Sequence, residues 1–169
     1  LTIDKLWTRA ISVAAVAAVG LALSGCSLFN QITNDTPRDD DGTVVEGNDD
    51  ADVFSIRVGD CLNDAGTSGT VTTAPIVPCD EPHDSEAYAS FLLEDGDFPG
   101  DEGVSAAANQ LCYDAFEEFA GIAWEDSIYD FSYYLPTEDS WNNRGDREVL
   151  CTIFDGNGQV TGTLESIGI

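Results

Sequence analysis

Five cysteines constrain this chain more than any other feature. Cys61, Cys79, Cys112 and Cys151 are spread through the polar part of the chain, whereas Cys26 closes an apolar run. With Cys26 used elsewhere, an even set remains. In an exported chain such a set reads as a disulfide framework, for which four cysteines allow three connectivities. The expected pairing is Cys61 with Cys79, which closes a local loop, and Cys112 with Cys151, which ties a helix to a late strand. Each link stabilises a fold by ~2–4 kcal/mol by restricting the unfolded chain. The competing use is metal binding. Cys79 and His83 stand at a Cys-x3-His spacing, but the second tight pair that zinc sites show is missing. No metal and no other cofactor is expected.

The run before Cys26 explains the fifth cysteine. Lys5 and Arg9 precede Ala10 to Ala22, which is almost wholly apolar. That run is shorter than the about 20 residues of a spanning helix, and it ends at small residues followed by polar chain, as a signal peptide does. Leu23-Ser24-Gly25-Cys26 resembles a bacterial lipobox. The resemblance implies cleavage after Gly25, removal of residues 1–25 and diacylglycerol on Cys26, with palmitate-type acylation of its amine. Two or more acyl chains hold a protein at a bilayer where one is marginal. The expected location is therefore the extracytoplasmic face of the plasma membrane, with the membrane itself as a partner through Cys26.

Beyond the anchor, residues 26–52 read as an acidic flexible tether, with Asp39-Asp40-Asp41 and Asn48-Asp49-Asp50 and little that is apolar. A domain is expected over residues 53–169. Its strand candidates are Val53 to Val58, Val71 to Val77, and Glu86 to Leu93, the last with Ala87, Ala89, Phe91 and Leu93 on one face and Tyr88, Ser90 and Leu92 on the other. The clearest helix lies between Asp101 and Ala120. There Val104, Ala107, Ala108, Leu111, Cys112, Ala115, Phe116 and Phe119 form one stripe at helical period, with acids at the start and Gly121 at the stop. Ser127 to Leu135 follows as a strand, Trp141 to Arg147 as a loop, and Glu148 to Phe154 and Gln159 to Ser166 as strands joined by the turn Asp155-Gly156-Asn157-Gly158. That order predicts an α+β fold, an antiparallel sheet of about six short strands with one main helix packed on one face.

Charge narrows the partners. Once residues 1–25 are set aside, the basic side chains are Arg38, Arg57, Arg144 and Arg147, against all of the 32 acids but Asp4. Nucleic acid is excluded, because binding it needs clustered Lys and Arg to replace counterions. Catalytic signatures are sparse. There is no Gly-x-Ser-x-Gly elbow, no His-Glu-x-x-His and no phosphate-binding glycine loop. His83, the only histidine, sits among Asp80, Glu81, Asp84 and Glu86, so one alternative is acid–base work with those carboxylates. The other is a structural histidine beside a disulfide. Asp155, Asn157 and Gln159 open like a calcium loop, but no acid stands at the twelfth position. Trp141 and Arg147 are residue types favoured in binding hot spots, and packing of Trp141 with pairing of Arg147 is the alternative.

Val58-Gly59-Asp60-Cys61, Val77-Pro78-Cys79, Pro82-His83-Asp84-Ser85-Glu86, the helix carrying Cys112, and Trp141 with Gly145-Asp146-Arg147-Glu148-Val149-Leu150-Cys151 resemble the septum-formation domain family of actinobacterial membrane proteins and lipoproteins. The resemblance spans about Val53 to Gly168. It implies a link to cell division and a fold-maintaining or shared-surface role for Cys61, Cys79, His83, Trp141, Arg147 and Cys151, and it brings no catalytic residues. The expected function is thus a non-enzymatic, lipid-anchored binding domain. Its expected partner is an envelope or division protein or a cell-wall component. The alternative is an envelope hydrolase or ligand-processing enzyme using His83.

Overall fold

The structure, a computed structural model, describes residues 35–168. Leu23 to Cys26 and the first part of the expected tether lie outside the described residues. The elements in order are β1 (Asn48–Asp52), a 3-10 turn (Val53–Ser55), β2 (Cys61–Leu62), β3 (Thr73–Val77), β4 (Ser85–Leu92), α1 (Asp101–Ala120), a second 3-10 turn (Trp124–Asp126), β5 (Tyr129–Tyr134), α2 (Glu138–Arg144) and β6 (Glu148–Asp155). The strands form one antiparallel, curled sheet in the order β1-β3-β2-β4-β6-β5. It is the α+β fold expected, with α1 on one face and both disulfides, Cys61–Cys79 and Cys112–Cys151, paired as expected. No helix among the described residues is long and apolar enough to cross a membrane.

Helix α1 begins and ends where its stripe and flanks predict. Val104, Ala108, Cys112, Phe116 and Ala120, each four residues on, are the buried line. Gly121 ends the helix at φ 75°, its N–H bonding Glu117 O. This is the left-handed stop that only glycine adopts without strain. From Ala108 onward the line packs on Val149, Cys151 and Ile153 of β6 and on Tyr129 of β5, with Phe91, Phe119, Phe131 and Tyr133 around it. Burying a side chain such as Phe116 contributes about 1.5–3 kcal/mol. The Cys112–Cys151 link joins this helix to β6 from within the packed layer.

The second core lies on the other face. There the curl brings β1, β2 and β3 over Ala87 and Leu150, and Val44, Ala51, Ile56, Leu62, Ala74 and Ile76 close the space. Five expectations change. The chain before Val53 is folded from Thr36 onward: Arg38 bridges Val44, β1 pairs with β3, and Val44 and Ala51 are buried. The boundary expected at Val53 therefore falls inside the packed unit. Val53 to Val58 is not a strand, because the Asp52 carboxylate accepts from Phe54 N–H and turns the chain. Tyr88 lies with Ala89 and Phe91 against α1, while Ala87 joins the opposite core, because a bulge between Ala87 and Ala89 shifts the alternation.

Gln159 to Ser166 is the fourth change. Only Val160 pairs, with His83. Beyond it, Gly162 N–H bonds Cys79 O, Ser166 N–H bonds Phe119 O and Gly168 N–H bonds Ala120 O. The segment thus runs off the sheet and across the end of α1. The expected loop at Trp141 to Arg147 is also half helical. Thr137 and Ser140 cap α2 reciprocally, and Gly145 ends it at φ 69°.

Candidate functional site

Alternation along β6 divides its side chains between two environments. Val149, Cys151 and Ile153 face α1. Glu148, Leu150, Thr152 and Phe154 face the other way and line a groove of about 930 Å³. Register places Tyr134 opposite Leu150 and Ser132 opposite Thr152, so β5 continues the floor. One wall is the loop 64–72. It is pinned by Asp64, whose carboxylate accepts from Tyr134 Oη at 2.7 Å and from Ser85 Oγ at 2.8 Å. Burial, and then the bond to Asp64, push the Tyr134 phenol well above its ordinary pKa. It remains a neutral donor.

The facing wall comes from α2 and the turns flanking it. Thr137, Asp139, Ser140, Arg144 and Asp146 line it, and the Arg144 guanidinium stands 5.2 Å from the centre of the Phe54 ring. The lining is strongly acidic. Asp64, Asp84, Asp101, Asp139, Asp146, Glu148 and Asp155 line the groove against Arg144 as its one basic side chain. A lining in which acids outnumber bases seven to one beside apolar side chains suits a ligand of the opposite sign.

The residues singled out in the sequence fall at two other places. His83 is fully buried and lines no part of the groove. Its Nδ1 lies 2.9 Å from Glu81 O, so Nδ1 carries the proton as donor, and Nε2 has no hydrogen-bond partner among the described residues. Its backbone N–H and C=O both pair with Val160. Of the carboxylates grouped with it, Asp80 is exposed, Asp84 accepts from Ala65 N–H at 2.9 Å, and Glu86 is only 2% exposed. Glu86 Oε1 accepts from Thr163 Oγ1 at 2.7 Å and Oε2 from Leu164 N–H at 2.6 Å. Burial raises the Glu86 pKa above the usual carboxyl range, against the opposing pull of those two donors and of His83.

Trp141 and Arg147 stand at the far end of the same ladder. Ser85 pairs with Phe154 at one end and Leu92 with Glu148 at the other, a separation of roughly 20 Å. The Arg147 guanidinium lies 3.7 Å from the Trp141 ring centre, Nη1 donates to Trp141 O and Asp146 O, and Nε pairs with Asp95 at 3.2 Å. Trp141 is buried, and its indole N–H donates to Gly96 O at 2.9 Å. These contacts make a structural corner. His83 on one side and Trp141 with Arg147 on the other are not brought together.

The groove itself was missed in the sequence. Thr137-Glu138-Asp139-Ser140 with Gly145 was the available signal for α2, but only the curl of the sheet places α2 opposite loop 64–72. The one set of possible metal ligands among the described residues is Cys61, Cys79 and Glu86. Two of its members are already joined as a disulfide.

No curated protein and no solved structure matches the chain. The family model described as septum formation matches residues 58–167, from the turn before β2 through β6 to the segment that crosses the end of α1. That range includes both disulfides, His83 and the Trp141–Arg147 corner and spans more than half of the chain, so the chain belongs to the septum-formation family.

Proposed function

We propose that this chain is a non-enzymatic binding domain whose groove receives an extended, basic segment of an envelope or division protein. The lipid on Cys26 holds it at the outer face of the plasma membrane. The observation that carries the reading is the groove, whose lining combines the apolar surfaces of Leu150, Phe154 and Tyr134 with seven acids and one arginine. Such a lining raises the encounter rate with a cationic segment and repels an acidic one. Its apolar surfaces can bury alternate apolar side chains of an extended chain. Membership of the septum-formation family supports a division context.

Peptide selection on the immobilised domain tests the site. Enriched sequences should interleave Lys or Arg with apolar residues, and binding should weaken at least about tenfold, on the order of 1.4 kcal/mol, in Asp139→Lys combined with Glu148→Lys. Sequences lacking basic residues, or binding indifferent to those changes, would refute it. The location has its own test. Cys26→Ser should move the protein from the membrane to the soluble fraction, and the tagged wild type should concentrate at septa of dividing cells.

A further inference from the structure

Arg144 is the one basic residue among those lining the groove, and no acid neutralises it. Its guanidinium makes no hydrogen bond or ion pair among the described residues, although seven carboxylates line the same space. It lies instead over the Phe54 ring, 5.2 Å from the centre, inside the range of about 6 Å at which a ring face attracts a cation. Phe54 is 47% exposed and also lines the groove. The chain fixes it there. Asp52 accepts from Phe54 N–H at 2.9 Å, and Val53 N–H bonds Thr72 O at 3.1 Å, which ties this turn to the end of loop 64–72. Arg144 reaches the ring from the last turn of α2. The contact therefore joins the two walls of the groove.

The carboxylates nearest α2 are held by neutral donors. Asp139 accepts from Asn143, Asp146 from Ser140 and Glu148 from Ser90. Such bonds fix an acid in place without cancelling its charge. None of the seven acids is ion-paired among the described residues, so their field stays open to an incoming cation.

We propose, resting on the reading of the groove as a site for a basic segment, that the Phe54 ring is its arginine subsite and that Arg144 is the internal occupant, displaced when an arginine of the bound segment takes the ring. The protein's own side chain shows which group fits. A guanidinium is planar, weakly hydrated and stacks on aromatic faces, whereas an ammonium is a compact and strongly hydrated charge. The acids attract both cations, and the ring favours arginine over lysine. While Arg144 covers the ring, affinity is reduced according to the fraction of molecules in which the ring is free.

The probe is a hexapeptide alternating arginine and valine, acetylated and amidated at its ends, titrated onto the full chain by calorimetry. Its citrulline counterpart is the neutral isostere. Phe54 and Arg144 are both exposed, so neither substitution disturbs the core. Arg144→Gln should tighten binding. With Arg144→Gln in place, adding Phe54→Leu should weaken binding by about two- to fivefold, the range of an exposed cation–π contact. In the wild-type background, where the ring is already taken, Phe54→Leu should cost less. Nuclear magnetic resonance reads the displacement directly, since saturation with the peptide should move the Arg144 side-chain protons away from their ring-shifted positions and toward those in Phe54→Leu. Equal cost of Phe54→Leu in both backgrounds, weaker binding by Arg144→Gln, or Arg144 resonances unmoved at saturation would overturn the subsite. The groove would then still stand on its own test, Asp139→Lys with Glu148→Lys. A peptide that does not bind, a citrulline peptide that binds equally, or binding indifferent to those two changes would overturn both.

Discussion

Arg38→Met is the most informative single perturbation of this fold, because it asks whether the acidic stretch before β1 is part of the packed domain. Arg38 Nη1 and Nη2 reach the two oxygens of Asp60 at 2.5 and 2.7 Å, with the side chains only 9% and 3% exposed. Asp60 also accepts from Arg57 N–H at 2.8 Å. Removing the guanidinium leaves a buried carboxylate with one backbone donor. Breaking a buried pair in this way costs about 3–5 kcal/mol, whereas an exposed pair is worth about 1 kcal/mol or less. For a domain of this size each kcal/mol moves Tm by roughly 4 °C, so Tm should fall by roughly 12–20 °C. Urea unfolding should show the same loss in midpoint with an unchanged slope. Adding Asp60→Asn should recover at least half of it, since the stranded charge is then gone. A loss below about 1 kcal/mol for Arg38→Met, as expected of a surface pair, would refute the claim that residues before β1 are integral to the fold.

Three further outcomes follow from the contacts described. Glu86 is held above the ordinary carboxyl range by burial, so the native state binds the proton more tightly than the unfolded chain and stability falls as pH rises from the ordinary carboxyl range through the native pKa. Relative to wild type, Glu86→Gln should therefore be more stable at pH 7.5 than at pH 4, as read by urea midpoints, and an unchanged difference would contradict this. Replacing Cys112 and Cys151 with alanine opens a link of sequence separation 39 and should cost about 3–4 kcal/mol in chemical unfolding. Trp141→Ala should cost about 3–5 kcal/mol by thermal melting. It removes a buried ring, the bond to Gly96 and the surface on which Arg147 stacks, and it should leave groove-directed peptide binding weakened only as far as α2 loosens.

The parts of this fold legible in the sequence are those specified by local rules. The α1 stripe, its acidic first turn and Gly121 define a helix whose ends fall where they were read, because the 3.6-residue period and the left-handed stop are encoded within 20 neighbouring residues. Disulfide pairing was readable for a similar reason: one link closes a short loop and the other has its first cysteine on the buried stripe. Where non-local contacts decide, the reading failed. Asn48–Asp52 has the polarity of a linker, yet it is a strand because β3 offers an open edge and Ala51 can be buried there. Gln159 to Ser166 has strand-like alternation, yet beyond Val160 its donors go to Cys79 O, the Glu86 carboxylate and the end of α1 instead of to the backbone of a neighbouring strand.

The same division holds for the site. Sequence by itself determined the secondary-structure class, an even set of four cysteines and the residues that match the septum-formation family, because composition, period and cysteine count are properties of the chain. It could point to His83, Trp141 and Arg147 only as chemically distinctive side chains. Tertiary structure decided that His83 is buried at one end of the β4–β6 ladder, that Trp141 and Arg147 brace the other, and that a groove lies between loop 64–72 and α2. The physical reason is the curl of the sheet. It joins residues as distant in sequence as Asp64 and Tyr134, 70 positions apart, and no local pattern records where a sheet will close on itself.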